Sequence, residues 1–195
     1  MRTKNNPKPG DVITVEPIKA LKDIQTIKRM LADNPRDYAL FVVGINTALR
    51  AGDLLRLTVR EVKTILRDED GGYTRESKTG KKRRIIFNDA ARDALRKLLS
   101  LRDYDDAEPI FQGQRGKISE SYLCRLVKKW CNDIHLEGHY GSHSLRKSFG
   151  YHQRVTFKTD IPTLMEIYGH STQKQTLTYL CIQPEEIKSV YQNVL

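Results

Sequence analysis

The sequence predicts a mainly α fold with one small three-stranded antiparallel β-sheet, an α+β domain. Three observations carry that reading. Apolar residues recur at helical spacing in stretches on both sides of the chain's middle. The middle itself breaks into short β-favouring pieces separated by Asp70-Gly71-Gly72 and Thr79-Gly80. Finally, 38% apolar and 30% charged residues, with 7 Pro and 12 Gly in 195, is the composition of a chain that buries a core. No internal repeat and no linker after residue 20 is visible. The chain is therefore read as a polar arm over 1–18, containing Pro7, Pro9, Gly10 and Pro17, followed by one domain over 19–195.

Taken in order, Ile24, Ile27, Met30 and Leu31 give a first helix beginning near Ala20. Asn34-Pro35 supplies an N-cap and a proline at the first helical position of a second helix. It runs to about Leu49, with Tyr38, Phe41, Val42 and Ile45 as its buried stripe. A short third helix passes through Leu54, Leu55 and Leu57. From Val62 the pattern becomes strand-like over Val62–Leu66, Tyr73–Ser77 and Arg84–Phe87, the three strands of the sheet. Asn88 caps a helix whose inner face is Ala91, Ala94, Leu95, Leu98 and Leu99. A Gly-rich loop follows at Gly113–Gly116. Then Ile118, Tyr122, Leu123, Leu126, Val127, Trp130 and Ile134 form a strong amphipathic stripe, with Arg125, Lys128 and Lys129 on the opposite face. Further helices are predicted at about 143–155, 161–168 and 183–192, the last opening at Pro184-Glu185-Glu186.

Charge and cysteine usage bound the function. The 34 Lys+Arg against 24 Asp+Glu give a formal charge of +10, which points to a polyanionic partner. Its distribution sharpens this: Ser77–Arg84 holds five cations and no acid, and Gly138–Thr159 holds Arg146, Lys147, Arg154 and Lys158 with none. A run of charge is most often a solvated face, so Arg125, Lys128 and Lys129 are read first as helix surface and second as phosphate contacts. No stretch approaches the ~18 uninterrupted apolar residues of a membrane span, and the start has no signal-peptide core. The reading is cytoplasmic, nucleoid-associated and without membrane contact. The 3 cysteines, Cys124, Cys131 and Cys181, argue against a disulfide framework.

Four separated pieces place reactive or anion-binding groups near turns: Arg50, Lys78, His143-Ser144-Leu145-Arg146, and Gly169-His170 followed nine residues later by Tyr179. None is specific alone. Together they suit displacement at a phosphodiester, which builds negative charge on the non-bridging oxygens. Arg50 and Arg146 can clamp those oxygens with paired N–H groups, and His170 adds a third donor. Tyr179 supplies a nucleophile whose phenol, with a reference pKa of about 10, needs a base such as His143. Lys78 can protonate the departing alkoxide. Such chemistry requires no metal and no ATP, and no other cofactor is expected.

These segments resemble the catalytic domain of the tyrosine recombinases, the phage-integrase family. Thr47-Ala48-Leu49-Arg50-Ala51-Gly52-Asp53-Leu54-Leu55-Arg56-Leu57 is similar to that family's first arginine segment, including the acid three residues after the arginine. Ser77-Lys78-Thr79-Gly80-Lys81 resembles its β-hairpin lysine, and His143-Ser144-Leu145-Arg146 its His-x-x-Arg. Tyr168-Gly169-His170-Ser171 through Thr176 to Tyr179 matches its Gly-His to tyrosine segment, and the match spans about residues 20–192. The resemblance implies a tyrosine-recombinase catalytic-domain fold and site-specific DNA strand exchange through a 3′-phosphotyrosyl intermediate. It implies Arg50, Arg146 and His170 as transition-state stabilisers, Lys78 as general acid, His143 as acid/base and Tyr179 as nucleophile, with Asp53 orienting Arg50. The expected partner is double-stranded DNA bound by a homotetramer, with a monomer in its absence. Lys81, Lys82, Arg83, Arg125, Lys128, Lys129 and Lys147 are the candidate DNA contacts. The segment Leu180–Leu195 either docks on a neighbour or folds back.

Two departures from the family stand out. Only about twenty residues precede the first helix where most members carry a further helical domain. The chain is thus either an excised catalytic domain or like the short single-domain members that include fimbrial-switch recombinases; Met1 favours the latter. Gly52 replaces a common serine. The rival class is a non-catalytic DNA-binding regulator with a recombinase-like fold. A topoisomerase that nicks and reseals without exchanging partners is a third reading, and RNA binding a weaker one, since no glycine-aromatic strand signature is present. Cys131, His135, His139 and His143 recur every four residues, but Gly138 and Gly141 interrupt any helix that would present them to zinc, and no metal site is assigned.

Overall fold

The central element is helix α2 (Pro35–Asn46), which follows α1 (Leu21–Met30). The structure, a computed structural model, describes residues 14–76, 80, 82–114 and 116–181. The Asn34 side chain accepts the Asp37 N–H at 3.2 Å and Pro35 opens the helix, as the sequence predicts. It ends three residues before Leu49, where Thr47 turns extended; the Asn46 amide and Thr47 hydroxyl donate to the Val42 and Val43 carbonyls at 2.8 and 2.9 Å. Its expected one-sided stripe is too narrow. Ala39 to Val43 are all fully buried, whereas Tyr38 and Ile45 are only partly so, because α5 (Asp89–Leu99) and α7 (Ser142–Val155) pack on different sides of it. Gly44 permits the second packing, since a Cβ there would lie 2.6 Å from Leu145 Cδ1.

After the short α3 (Ala51–Leu54), residues Val59–Arg67 form helix α4, and the strand expected over Val62–Leu66 does not exist. The reason is local. The Thr58 hydroxyl accepts the Glu61 N–H at 3.2 Å while Glu61 accepts the Thr58 N–H at 2.9 Å, a capping box, and Val59, Val62 and Ile65 fall on one buried helical face. The three-stranded sheet is therefore a two-stranded antiparallel ribbon, β1 (Gly72–Arg75) with β2 (Lys82–Ile85), in register Gly72↔Ile85 to Arg75↔Lys82. A second short pair, β3 (Gln112–Gly113) with β4 (Gly116–Lys117), occupies the expected Gly-rich loop.

Arg92 staples α4 to α5. Buried at the start of α5, its guanidinium donates to the carbonyls of Phe87, Leu66 and Asp68 at 2.9, 2.9 and 2.7 Å. Replacing it with methionine keeps the stem but strands three acceptors, each costing about 1 kcal/mol or more. Urea unfolding of Arg92→Met is expected to show a loss of roughly 3 kcal/mol at unchanged m-value.

Helix α6 (Glu120–Asp133) buries Leu123, Leu126, Val127 and Trp130 of the predicted stripe, whereas Tyr122 is exposed and Ile118 and Ile134 lie outside the helix; Trp130 meets Phe41 edge-on at 5.8 Å. It ends at Asp133, and His135 is left-handed at φ 56°, so Cys131, His135, His139 and His143 share no helix. Among the described residues no three His, Cys, Asp or Glu side chains are grouped to hold a metal. The packing begins before the first helix: Ile18 is fully buried, its N–H donating to Ser148 Oγ at 2.8 Å and its carbonyl 2.9 Å from His152 Nε2. Helices α8 (Ile161–Tyr168) and α9 (Gln173–Leu180) are the last of the described elements. The sequence reading has no helix at α9, although Thr172 caps it by accepting the Gln175 N–H at 3.2 Å. Ala48, Leu164, Tyr168 and Leu180 form a small second core beneath these two helices. The helix expected at 183–192 lies outside the described residues. No described helix is long and apolar enough to cross a membrane.

Candidate active site

Five of the six predicted reactive residues are described, and the ends of four helices bring them together. Arg50 is the N-cap residue of α3, and His143 and Arg146 sit in the first two turns of α7. His170 follows Gly169, whose left-handed φ of 66° closes α8 and turns the chain back into the cleft. Tyr179 lies on α9. Lys78, the sixth, lies outside the described residues, as does Lys81.

Arg146 is the centre of the arrangement. It is 4% exposed; Nη2 donates to the Tyr168 carbonyl at 3.2 Å, and the guanidinium lies over the Tyr168 ring at 4.5 Å and the Tyr179 ring at 5.8 Å. Among the described residues its Nη1 is buried without a well-formed hydrogen bond. Burial lowers its pKa, with Arg50 pushing the same way against the two phenols. A buried guanidinium with an unmet donor can receive an anion.

The Tyr179 hydroxyl is also buried, with no well-formed hydrogen bond among the described residues, and faces the Arg146 guanidinium. Burial raises its pKa above that of an ordinary phenol, and Arg146 pulls against that rise. His170 stacks on Tyr168 at 5.2 Å and meets Tyr179 edge-on at 5.3 Å, while its Nδ1 is 3.0 Å from the Thr176 hydroxyl. Its pKa falls below the usual imidazole value, chiefly by burial and then by Arg146 and Arg50. His143 is exposed at the cleft edge. Partial withdrawal of its ring from water lowers its pKa, Glu120 opposes that, and Arg146, Lys147 and Arg50 reinforce it.

The candidate DNA contacts divide. Lys82, Arg125, Lys128 and Lys129 are exposed, Lys129 pairing with Asp133. Arg83 and Lys147 instead point inward. Lys147 is 6% exposed, with Nζ 3.3 Å from Cys181 Sγ and 5.3 Å from the Tyr179 ring. Arg83 donates to the Ile167 carbonyl at 2.8 Å and lies 3.5 Å from Glu76, and burial above all, with Arg146 next, pushes its pKa down to about 10. Asp53 is buried, but its carboxylate is 3.9 Å from Arg50 and 3.5 Å from Arg56. Glu76 is the closer partner of Arg50, at 2.8 Å.

Glu76, Tyr168 and Thr176 are site residues that sequence reasoning overlooked. Tyr168 and Thr176 sit inside the Tyr168-to-Tyr179 segment, but their role is packing and orientation, which spacing does not reveal. Glu76 directly precedes the basic run at 77–84, and its lone acid is the available signal.

Residues 13–186 match the phage integrase family. The chain is 35% identical over 180 residues to the probable integrase/recombinase YoeC of Bacillus subtilis (strain 168), covering 91% of this chain and 95% of that protein. It is 28% identical over 158 residues to the tyrosine recombinase XerC of Caldanaerobacter subterraneus, covering 78% of this chain but 43% of that one, so it spans about half the length of such relatives. The fold superposes on the crystal structure of XerA recombinase with a TM-score of 0.74 at 20% identity, over 95% of this chain and 66% of that one. A post-cleavage complex of XerH with its difH substrate gives 0.69 at 18%, over 94% and 55%. With the family match running through nearly the whole described body and the arginine, histidine and tyrosine segments gathered in one cleft, the chain belongs to the phage integrase family of tyrosine recombinases.

Proposed function

We propose that the protein is a site-specific DNA recombinase that cleaves and rejoins strands through a 3′-phosphotyrosyl intermediate. The observation that carries this reading is the Tyr179 hydroxyl, buried beside the Arg146 guanidinium with His170 at its edge. The scissile phosphate sits between Arg50 and Arg146, with Arg146 Nη1 satisfied by a non-bridging oxygen. In the tautomer that carries the proton on Nε2, Nδ1 accepts from the Thr176 hydroxyl and His170 donates a hydrogen bond to the same phosphate. Burial, with Arg146 and Arg50 behind it, holds its pKa below the usual imidazole value and so favours the neutral ring as a hydrogen-bond donor.

Because burial holds the Tyr179 phenol protonated, a base is required, and His143 receives that proton as the oxygen attacks phosphorus. The bond from phosphorus to the 5′-oxygen breaks, its electron pair leaves with that oxygen, and Lys78 returns a proton to it. Lys78 holds this role by its place in the sequence alone. One ester replaces another, so the reverse attack by a 5′-hydroxyl reseals a strand without ATP. Strand exchange on duplex DNA calls for more than one protomer, and a homotetramer is the proposed assembly.

The test is covalent trapping on a nicked suicide duplex carrying the element's own end sequence. Wild type is expected to give a protein–DNA adduct stable to denaturing electrophoresis, and Tyr179→Phe none, with DNA binding retained. An adduct in both proteins would move the nucleophile elsewhere. Binding without any adduct would favour the regulator.

A further inference from the structure

Two arginines that come from different elements bond successive carbonyls at the C-terminal end of α8. Arg83, on β2, donates to Ile167 O at 2.8 Å, and Arg146, on α7, donates to Tyr168 O at 3.2 Å. The end of a helix offers unpaired carbonyls and partial negative charge, so two guanidiniums are held there side by side despite their repulsion. The next two residues are Gly169 and His170, and this anchor fixes the turn that carries His170 into the cleft.

A carboxylate extends the anchor across the cleft. Glu76, one residue beyond β1, places Oε1 2.8 Å from Arg50 Nη1 and 3.5 Å from Arg83 Nη1, with a side chain 14% exposed. The result is a continuous chain from Ile167 O through Arg83 and Glu76 to Arg50, one hydrogen bond followed by two ion pairs. Asp53, 3.9 Å from Arg50, holds it more weakly than Glu76 does. Arg50 is one-third exposed and would otherwise keep the rotamer freedom of a long surface side chain.

We infer that Glu76 is a positioning residue: through the relay of Ile167 O, Arg83, Glu76 and Arg50 it fixes the Arg50 guanidinium opposite Arg146, so that both aim at one phosphate. This rests on the strand-transfer reading and adds to it a residue that acts through another. The relay makes a two-sided demand. The Glu76 carboxylate repels an incoming phosphodiester, weakening binding slightly, while the order it imposes on Arg50 serves the transition state. Binding and chemistry should therefore move in opposite directions when its charge is removed.

The experiment measures DNA affinity and single-turnover adduct formation on the full chain for wild type, Glu76→Gln and Glu76→Asp. Glu76→Gln is expected to slow adduct formation about 30-fold while leaving DNA affinity unchanged or about threefold tighter. Glu76→Asp should recover about tenfold of the rate. Parallel loss of affinity and rate would reduce Glu76 to a support of the fold, and a parallel gain would reduce it to a repelling charge; either overturns the inference. Should Glu76→Gln fail to fold, Arg83→Lys, which shortens the anchor, is read for the same split. Should wild type itself give no Tyr179 adduct, the strand-transfer reading falls, and the relay is judged separately by amide hydrogen exchange over the β1–β2 ribbon. There Glu76→Gln is expected to speed exchange about tenfold, and unchanged exchange would overturn it.

Discussion

Gly150→Ala is expected to lower the melting temperature by roughly 4–8 °C and to reduce adduct formation on the order of 100-fold. Two effects oppose one another. Glycine inside α7 costs about 1 kcal/mol relative to alanine by helix propensity, so an isolated helix would gain from the change. In the folded protein, however, a Cβ at 150 would collide with the Tyr168 hydroxyl and with Leu180 Cδ2. Tyr168 is fully buried and donates to the Arg146 carbonyl at 2.8 Å, and Leu180 is fully buried on α9, next to Tyr179. Neither is a flexible end that can swing into water. Overpacking of this kind costs about 3 kcal/mol, which outweighs the gain and leaves a net loss of about 2 kcal/mol. The larger effect is on chemistry. Tyr168 is the surface on which Arg146 and His170 both stack, and α9 carries the nucleophile, so both halves of the site are displaced by one methyl group. Calorimetry and the trapping assay check this together. A stabilised Gly150→Ala with full activity would mean that α7, α8 and α9 do not meet as closely as described.

What the sequence made legible, and what it hid, follows from how far each signal reaches along the chain. His143 and Arg146 lie within one turn of a helix, and His170 and Tyr179 within twelve residues, so local spacing displayed both pairs. The helix stripes of α5 and α6 were legible because each buries a single face. Helix α2 shows no single stripe because two helices pack on it, which is a tertiary fact. The loss of the Val62–Leu66 strand has a different cause: its β-branched residues outweighed a readable signal, since Thr58 and Glu61 already spell a capping box. Helix α9 has only Thr176 and Leu180 buried and shows no stripe to find. Glu76 was hidden because its partners, Arg50 and Arg83, are 26 residues before it and seven after, and no pattern of charge announces which acid closes such a relay. Lys147 illustrates the converse. Its position in an acid-free run suggested a surface contact, yet it folds inward beside Tyr179.

Arg146→Lys is expected to slow adduct formation by about 10²–10³-fold while DNA affinity changes little. Charge alone does not explain what this position does. The guanidinium spends Nη2 on the Tyr168 carbonyl, lies over the Tyr168 ring at 4.5 Å and still presents a buried Nη1 without a well-formed hydrogen bond among the described residues. A lysine ammonium delivers its donors from one point, so it cannot hold the carbonyl and a phosphate oxygen at fixed separation. It also loses the planar stack, and being buried it gives up its proton more readily than arginine does. Burial already depresses the Arg146 pKa, but a guanidinium starts so high that it stays charged throughout the working range. An amine placed there would titrate within that range. The residual activity of Arg146→Lys should therefore fall as pH rises, as the substituted amine loses its charge. Wild type should show no such loss from this position, because its guanidinium does not deprotonate. Trapping rates measured between pH 6 and pH 9 distinguish the two. A variant that kept both its rate and the wild-type pH profile would show that a single positive charge suffices, and that the fork geometry of Arg146 has no part in the reaction.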